Sequence, residues 1–501
     1  MGIRLSIPPF LRGGLSRDFH ETLILYLFSL STASPNSRDL IKMAGDSSLS
    51  LGGFSKIFKR VSAVVEKWNY GVHEAVRHAS KSIRNKRVKA FFERLSDTLA
   101  LDADLRDFLR MEFERMLTSL AEEFDRGLEK AKKLIDGYSA LLTSTTFLSV
   151  SMLLLSVIYG MKVENLLLLT ALGTSAVLIL MIYLISTSLP PDPLIQESGR
   201  TPQPLAALRR SLPILTPLLL AASSLLLFSK AGSGPMDSLS LATIISGVPL
   251  LAIGRLGSRW VKRAEQADKR LPAFVKDLGD AAEISGSLKS ACKLILVNDY
   301  GKLSKLLGKL RRRLELGFDQ RMALRVFGEE SLSRLTSIAS GVMADALGHG
   351  AKPSAVGKAV YDYLQRRLEN RRKRLQVAGM LWGIALPLQG SFAAISALIT
   401  ALMKTLYHFA LLIQSWFPLI SPIPMSLIRE FFYSIGLGMA VASSLAYYRL
   451  RGDSSFTFAY SLGALLTITG VAHLLAYHAS LKIIQLTSKL TESISSIVGE
   501  L

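Results

Sequence analysis

The chain has 501 residues, 49% of them hydrophobic, a mean hydropathy of +0.33 and a net charge of +21. It is too apolar to be disordered, and its single cysteine, Cys292, excludes a disulfide framework or a Cys-rich metal site. High hydropathy beside strong positive charge predicts two kinds of segment: apolar membrane spans, and water-facing parts that hold the Lys and Arg.

Residues 1–137 contain no apolar run long enough to cross a bilayer and read as a helical domain. Apolar residues recur at three- and four-residue steps, as in Phe91, Leu95, Thr98, Leu99 and in Leu105, Phe108, Leu109. Arg12-Gly13-Gly14-Leu15 precedes an apolar patch at 23–30. That patch is short for a targeting segment and is read as part of the first helix of the domain. A basic cluster at 77–94 is followed by an acidic one at 97–107 that includes Asp102, Asp104 and Asp107. His73 and His78 are five residues apart, so they share a helix face poorly and are not read as metal ligands.

Residues 138–254 hold four apolar stretches, at 139–161, 165–189, 211–229 and 238–254, with a loop near 190–210. Residues 255–374 form a second helical domain, in which Leu271, Phe274, Val275, Leu278 and Ala282 fit one helix face with Pro272 at its first turn. Gly286, Gly317 and Gly350 punctuate it into shorter helices. This domain carries a net charge of +13 and the first carries +5. Residues 375–501 add three apolar stretches, at 375–403, 431–447 and 455–478. A further run, 405–421, reads as an external interfacial segment, with a true span as the alternative. Each of the seven stretches approaches the roughly 20 residues of helix that a bilayer demands. Lys and Arg concentrate in 1–137, 190–210, 255–374 and 448–454, which places the N-terminus and both large domains in the cytoplasm. The expected fold is all-α: a multi-pass protein of the cell membrane, with about seven transmembrane helices and two duplicated cytoplasmic helical bundles.

The duplication rests on an offset of 248 residues. It pairs Trp68 with Leu316, Tyr70 with Phe318, Ala75 with Ala323, Val76 with Leu324 and Leu99 with Leu347. Ala100-Leu101-Asp102 then falls on Gly348-His349-Gly350, and near the start the offset drifts to about 255.

The second copy carries a recognisable pattern. The runs from Leu271 to Leu278, from Ser285 to Ala291 and Asp299-Tyr300-Gly301, then Leu316 to Leu324 and Gly348-His349-Gly350 before a long basic helix, resemble the F-domain of type II secretion systems. The first copy matches weakly and lacks the glycine turn. Two such domains with extra spans resemble the archaeal branch of that family, the platform proteins of archaella, type IV pili and related secretion machines. The resemblance implies motif turns and packing at Pro272, Phe274, Gly286, Gly317, Ala323 and Gly350. It also implies a non-enzymatic protein that engages a hexameric secretion ATPase and pilin or archaellin subunits. A homodimer is a further expectation.

No Walker A motif is present, so ATP use falls to a partner, and no metal or cofactor is expected. Lys309, Arg311, Arg312 and Arg313 form a dense basic run far in sequence from any span, a candidate ATPase contact, with Asp102, Asp104 and Asp107 as the second candidate. Arg366, Arg367, Arg371, Arg372, Lys373 and Arg374 abut the fifth span and are candidates for contact with lipid headgroups. Nucleic acid is not an expected partner, because no recognition motif accompanies the basic residues. A polytopic transporter or permease subunit driven by a separate ATPase is the alternative. The absence of intramembrane carboxylates and the large helical domains stand against it.

Overall fold

The computed structural model describes residues 12–47, 54–83, 85–159, 163–196, 202–228, 238–413 and 425–499. The described chain is almost wholly α-helical, with no strand beyond one isolated bridge, Ile195 to Ser333. It divides into two compact units. The first comprises residues 1–126, 190–202 and 260–373, and the second 127–189, 203–259 and 374–501.

The first unit contains α1 (Arg12–Ser31), α2 (Ser37–Gly45), α3 (Phe54–Trp68), α4 (Val72–Lys81), α5 (Lys86–Ala100) and the start of α6 (Leu105–Tyr159). It also contains the end of α9 (Ser238–Ser285), α10 (Leu288–Ile295), α11 (Lys302–Glu315), α12 (Gln320–Glu330), α13 (Arg334–Gly348) and the start of α14 (Pro353–Ile413). One hydrophobic core runs through both sets of helices. Leu23 through Leu27 of α1 are all buried, and the helix packs on α13. A helix apolar on every side needs neighbours all round, and α1 has them. Around it Phe91 meets Phe92 edge-on at 5.9 Å and Phe58 tilts over Phe92 at 5.4 Å. In the second set, Phe274 stacks on Phe327 at 5.2 Å and meets Tyr300 edge-on at 5.5 Å. Ala323 and Cys292 are buried there too, and burial pushes the Cys292 thiol up to about 12.

The two sets share a spacing. Val72 and Gln320, Lys86 and Arg334, and Leu105 and Pro353 all begin helices, and the members of each pair are 248 residues apart. The same interval separates the left-handed residues that reverse the chain, Asn69 (φ 48°) from Gly317 (φ 82°) and Asp102 (φ 49°) from Gly350 (φ 80°). Toward the start the interval lengthens to 252, from Ser34 (φ 54°) to Gly286 (φ 68°). Glycine takes these angles freely, and Asn and Asp are the other residues that tolerate them, which accounts for Asn69 and Asp102, while Ser34 takes the angle at a cost in strain. Pro272 is a correction to the sequence reading. It lies well inside α9, not at a first turn, because the buried face through Leu271, Phe274, Val275 and Leu278 carries the helix past the missing donor.

The second unit contains the rest of α6, α9 and α14 with α7 (Val163–Ser188), α8 (Gln203–Phe228), α15 (Met425–Arg451) and α16 (Ser455–Gly499). Six helices, among the described residues, are long and apolar enough to cross a membrane. They are α7, α8, α9, α14, α15 and α16. The expected span at 139–161 falls in α6 and continues past the described residues at Tyr159. Of the run 405–421, residues to Ile413 continue α14, and the remainder lies outside the described residues.

Small residues let α9 and α16 cross closely. A Cβ at Gly254 would land on the backbone of Tyr460, one at Gly463 on Leu251, and one at Gly247 on Thr467. Buried polar groups tie other helices. Tyr138 and Ser443 hydroxyls lie 2.9 Å apart, and Gln389 donates to the Gly436 carbonyl and to Thr469 Oγ1, each at 2.9 Å. His473 is fully buried, with Nδ1 3.1 Å from Ser396 Oγ.

The turns yield a first prediction. Gly350→Val strains a left-handed backbone and should destabilise the protein by about 1–3 kcal/mol. Asp102→Gly at the matching turn relieves strain and should be neutral or stabilising. Thermal unfolding of the full chain in detergent checks both, and equal losses for the two variants would contradict the comparison.

Candidate functional site

Beyond α7 the chain runs through a proline-rich stretch, 190–196, with Pro190, Pro191 and Pro193 around Asp192. Proline fixes φ and removes backbone donors, so such a segment resists helix and holds an extended shape. It lies against the start of α13. Arg334 N donates to the Leu194 carbonyl at 2.9 Å and Gln196 N to the Leu332 carbonyl at 3.1 Å, which forms the Ile195–Ser333 bridge. Leu194 is buried beside these bonds.

Asp192 is then placed to meet two arginines of α14, one helical turn apart. Arg371 Nη2 reaches Asp192 Oδ2 at 3.0 Å, and Arg367 Nη2 reaches Oδ1 at 3.9 Å. Arg371 also holds Asp268 of α9, Nη1 to Oδ2 at 3.1 Å, and Arg367 holds Glu21 of α1 at 3.6 Å. The Asp268 carboxylate accepts from Ser333, whose Oγ caps α13 by accepting from Thr336 N at 3.1 Å. Asp268 and Glu21 are almost wholly buried, and the Arg371 side chain is only 8% exposed. Carboxylates from three separate stretches of chain therefore converge on two guanidiniums of a fourth, α14.

Asp268 lies outside the apolar part of α9, in the first unit. Burial pushes its carboxyl up to about 6, against the opposing pull of Arg371 and the Ser333 hydrogen bond. Between about pH 4 and pH 6 the folded form retains a proton that the unfolded chain releases. This group's contribution to stability therefore falls as pH rises through that window. The cluster carries no nucleophile or metal-binding set, and its chemistry is that of a fastener.

The sequence-predicted sites fare unevenly. Of the six basic residues assigned to lipid headgroups, Arg367, Arg371 and Arg374 are turned inward. Arg374 is 2% exposed and donates from Nε to the Leu450 carbonyl and from Nη2 to the Arg449 carbonyl at 3.0 Å, capping the end of α15. A buried guanidinium needs fixed acceptors, which these carbonyls and carboxylates supply in place of headgroups. Lys373 reaches Asp125 at 2.9 Å and Arg366 reaches Glu369 at 3.3 Å, while Arg372 is exposed.

In the α11 run, Arg313 and Lys309 both pair with Glu330 and Arg311 pairs with Glu315, while Arg312 is exposed. Asp104 caps α6 by accepting from Arg106 N at 2.8 Å, and Asp102 and Asp107 are exposed. Phe274 and Ala323 are core, and Gly286, Gly317 and Gly350 form left-handed turns. Asp192, Asp268 and Glu21 went unnoticed in the sequence. The available signal was Asp268 itself, a carboxylate on the same helix face as Ala264, Leu271 and Val275.

The chain is similar to flagella accessory protein J of two methanogens. It is 23% identical over 372 residues to that of Methanocaldococcus jannaschii, covering 73% of this chain and 66% of the relative. To that of Methanococcus voltae it is 22% identical over 410 residues, covering 78% of this chain and 73% of the relative. No family profile and no solved structure matches the chain. The similarity reaches far beyond any one helix.

Arg371→Leu leaves Asp268 and Asp192 without their shared cation and should cost about 3–5 kcal/mol. Adding Asp268→Leu removes one orphaned carboxylate and should restore part of the loss. Asp268→Asn should abolish the fall in stability between about pH 4 and 6 that Asp268 contributes. Melting curves across that pH range decide all three.

Proposed function

We propose that this chain is the membrane platform of an archaellum or a related type IV pilus or secretion machine. The reading rests on its similarity to flagella accessory protein J over about three quarters of its length. Two features of the molecule support it: a set of helices long and apolar enough to span a bilayer, and a separate basic, all-helical unit. The basic unit lies in the cytoplasm and receives a hexameric secretion ATPase. The apolar helices guide pilin-like subunits, whose own helices are apolar.

Force passes along the chain itself. Helices α6, α9 and α14 each continue from one unit into the other. The segment between α7 and α8 is pinned to the first unit by Arg367 and Arg371 through Asp192. A partner that shifts α14 therefore pulls that segment, and with it the ends of two apolar helices. The ion cluster keeps the connection stiff, because separating its members exposes unpaired charge.

Deleting the gene should abolish filament assembly, and the wild-type copy should restore it. Asp192→Ala should insert in the membrane at normal levels and bind the ATPase normally, yet assemble filaments poorly. Normal filament number in the Asp192→Ala strain would remove the clamp from the mechanism, and normal filaments in the deletion would remove the assembly role altogether.

A further inference from the structure

Trp68 and Leu316 are each 76% exposed, Tyr70 is 49% exposed and Phe318 is 54% exposed. Lone exposed apolar side chains are ordinary on any surface. These four are not scattered. Trp68 and Tyr70 flank the left-handed Asn69, and Leu316 and Phe318 flank the left-handed Gly317, at matching turns of the two helix sets. Val64, one turn before Trp68, and Met322, one turn after Phe318, are exposed as well and enlarge each patch. The flanking helices are anchored in the core through Val61, Val65 and Ala75 on one side and Leu310, Leu314 and Ala323 on the other. Each tip is therefore held on rigid supports, so little ordering entropy is lost when it is covered.

Charge frames both tips. On α11, Lys302, Lys305, Lys309 and Arg312 follow steps of three and four residues, share one exposed face and lead to Leu316. On α3, Lys56, Arg60 and Lys67 are exposed before Trp68. Three carboxylates beside the tips are engaged: Glu315 with Arg311, Glu66 with Lys42, and Asp319 as the cap of α12. We propose that the turns Trp68–Tyr70 and Leu316–Phe318 are equivalent docking tips for a soluble, multimeric protein that presents apolar pockets rimmed by acidic residues.

A membrane surface would also suit aromatic and basic residues, but the helix lengths speak against it. The next turn of the first set, Leu101–Asp104, lies at the same end of its helices as Trp68–Tyr70, since Ser96 near the end of α5 donates to the His73 carbonyl at the start of α4 at 2.9 Å. From Leu105 at that turn, α6 continues through 34 residues before its apolar stretch starts at Ser139, about 50 Å at helical rise. Along α6, then, a long polar stretch of helix separates the end that the Trp68–Tyr70 tip shares from the start of the apolar stretch. The proposal rests on the assembly role given above only in taking the secretion ATPase as the multimeric partner, whose repeated subunits offer the same pocket more than once.

The test uses full-length protein in nanodiscs and the purified ATPase of the same machine. Trp68→Ser with Tyr70→Ser, Leu316→Ser with Phe318→Ser, and all four together are compared with wild type for ATPase binding, with melting curves as the control for folding. Loss of either tip removes one of two linked contacts and should weaken binding on the order of a hundredfold. Loss of both should abolish it. Lys302→Glu, Lys305→Glu and Arg312→Glu together leave the apolar groups in place and should slow association and reduce its salt dependence. Wild-type affinity in the fourfold variant overturns the docking tips and leaves the assembly role standing. Dependence on only one pair overturns their equivalence. Loss of binding to anionic phospholipid vesicles with ATPase binding intact would replace the protein partner with a membrane. Failure of the wild-type chain to bind the ATPase overturns both this proposal and the partner in the assembly role.

Discussion

A buried charge must find an opposite charge or a full set of hydrogen bonds, and much of this molecule's internal order follows from that requirement at Arg371. Its guanidinium sits between Asp192 and Asp268, with Arg367 and Glu21 extending the cluster. These five residues come from α1, α9, α14 and the proline-rich segment before α8. Apolar packing is non-directional and would let these elements slide against one another. An ion cluster fixes register, because a shift that leaves a carboxylate unpaired costs several kcal/mol. The Ser333 cap joins this network, so the start of α13 is set by the same carboxylate that holds α14.

The helices around that cluster obey a second constraint, the need to reverse direction in two or three residues. Three left-handed turns recur at corresponding places in both helix sets, and the second set has two more, at Gly301 and Leu332. The second set uses Gly286, Gly317 and Gly350, and the first uses Ser34, Asn69 and Asp102. The backbone solution is the same and the residues differ. Side chains at such turns carry strain that glycine lacks. The first set bears that strain at all three positions, which matches its weaker resemblance to the glycine-punctuated motif.

Helical periodicity and apolar run lengths made most of the fold legible. The core positions Phe91, Leu95, Phe274 and Leu278 and the turns at Gly317 and Gly350 all follow from local patterns of a few residues. The site was not legible in that way. Asp192 looks like an ordinary loop acid, and Arg371 like one of several cations beside an apolar run. Their pairing joins positions 179 residues apart, and no local rule links them. Pro272 misled for a related reason, since helix-start statistics ignore the tertiary packing that carries α9 through it.

Charge is where the difference between sequence and structure matters most for function. A run of like charges in sequence suggests a surface field, yet most of the cations flagged here are engaged at close range. Arg313 and Lys309 share Glu330, Lys373 holds Asp125, Arg374 caps α15, and Arg94 grips Glu112 with two hydrogen bonds. A cation neutralised within its own fold contributes little beyond a Debye length, about 8–10 Å at physiological salt. The field that a partner meets comes from the residue left over, such as Arg312 and Lys305 on the outer face of α11. Net charge therefore measures the capacity for attraction, and the pattern of internal pairs decides where on the surface that attraction is felt.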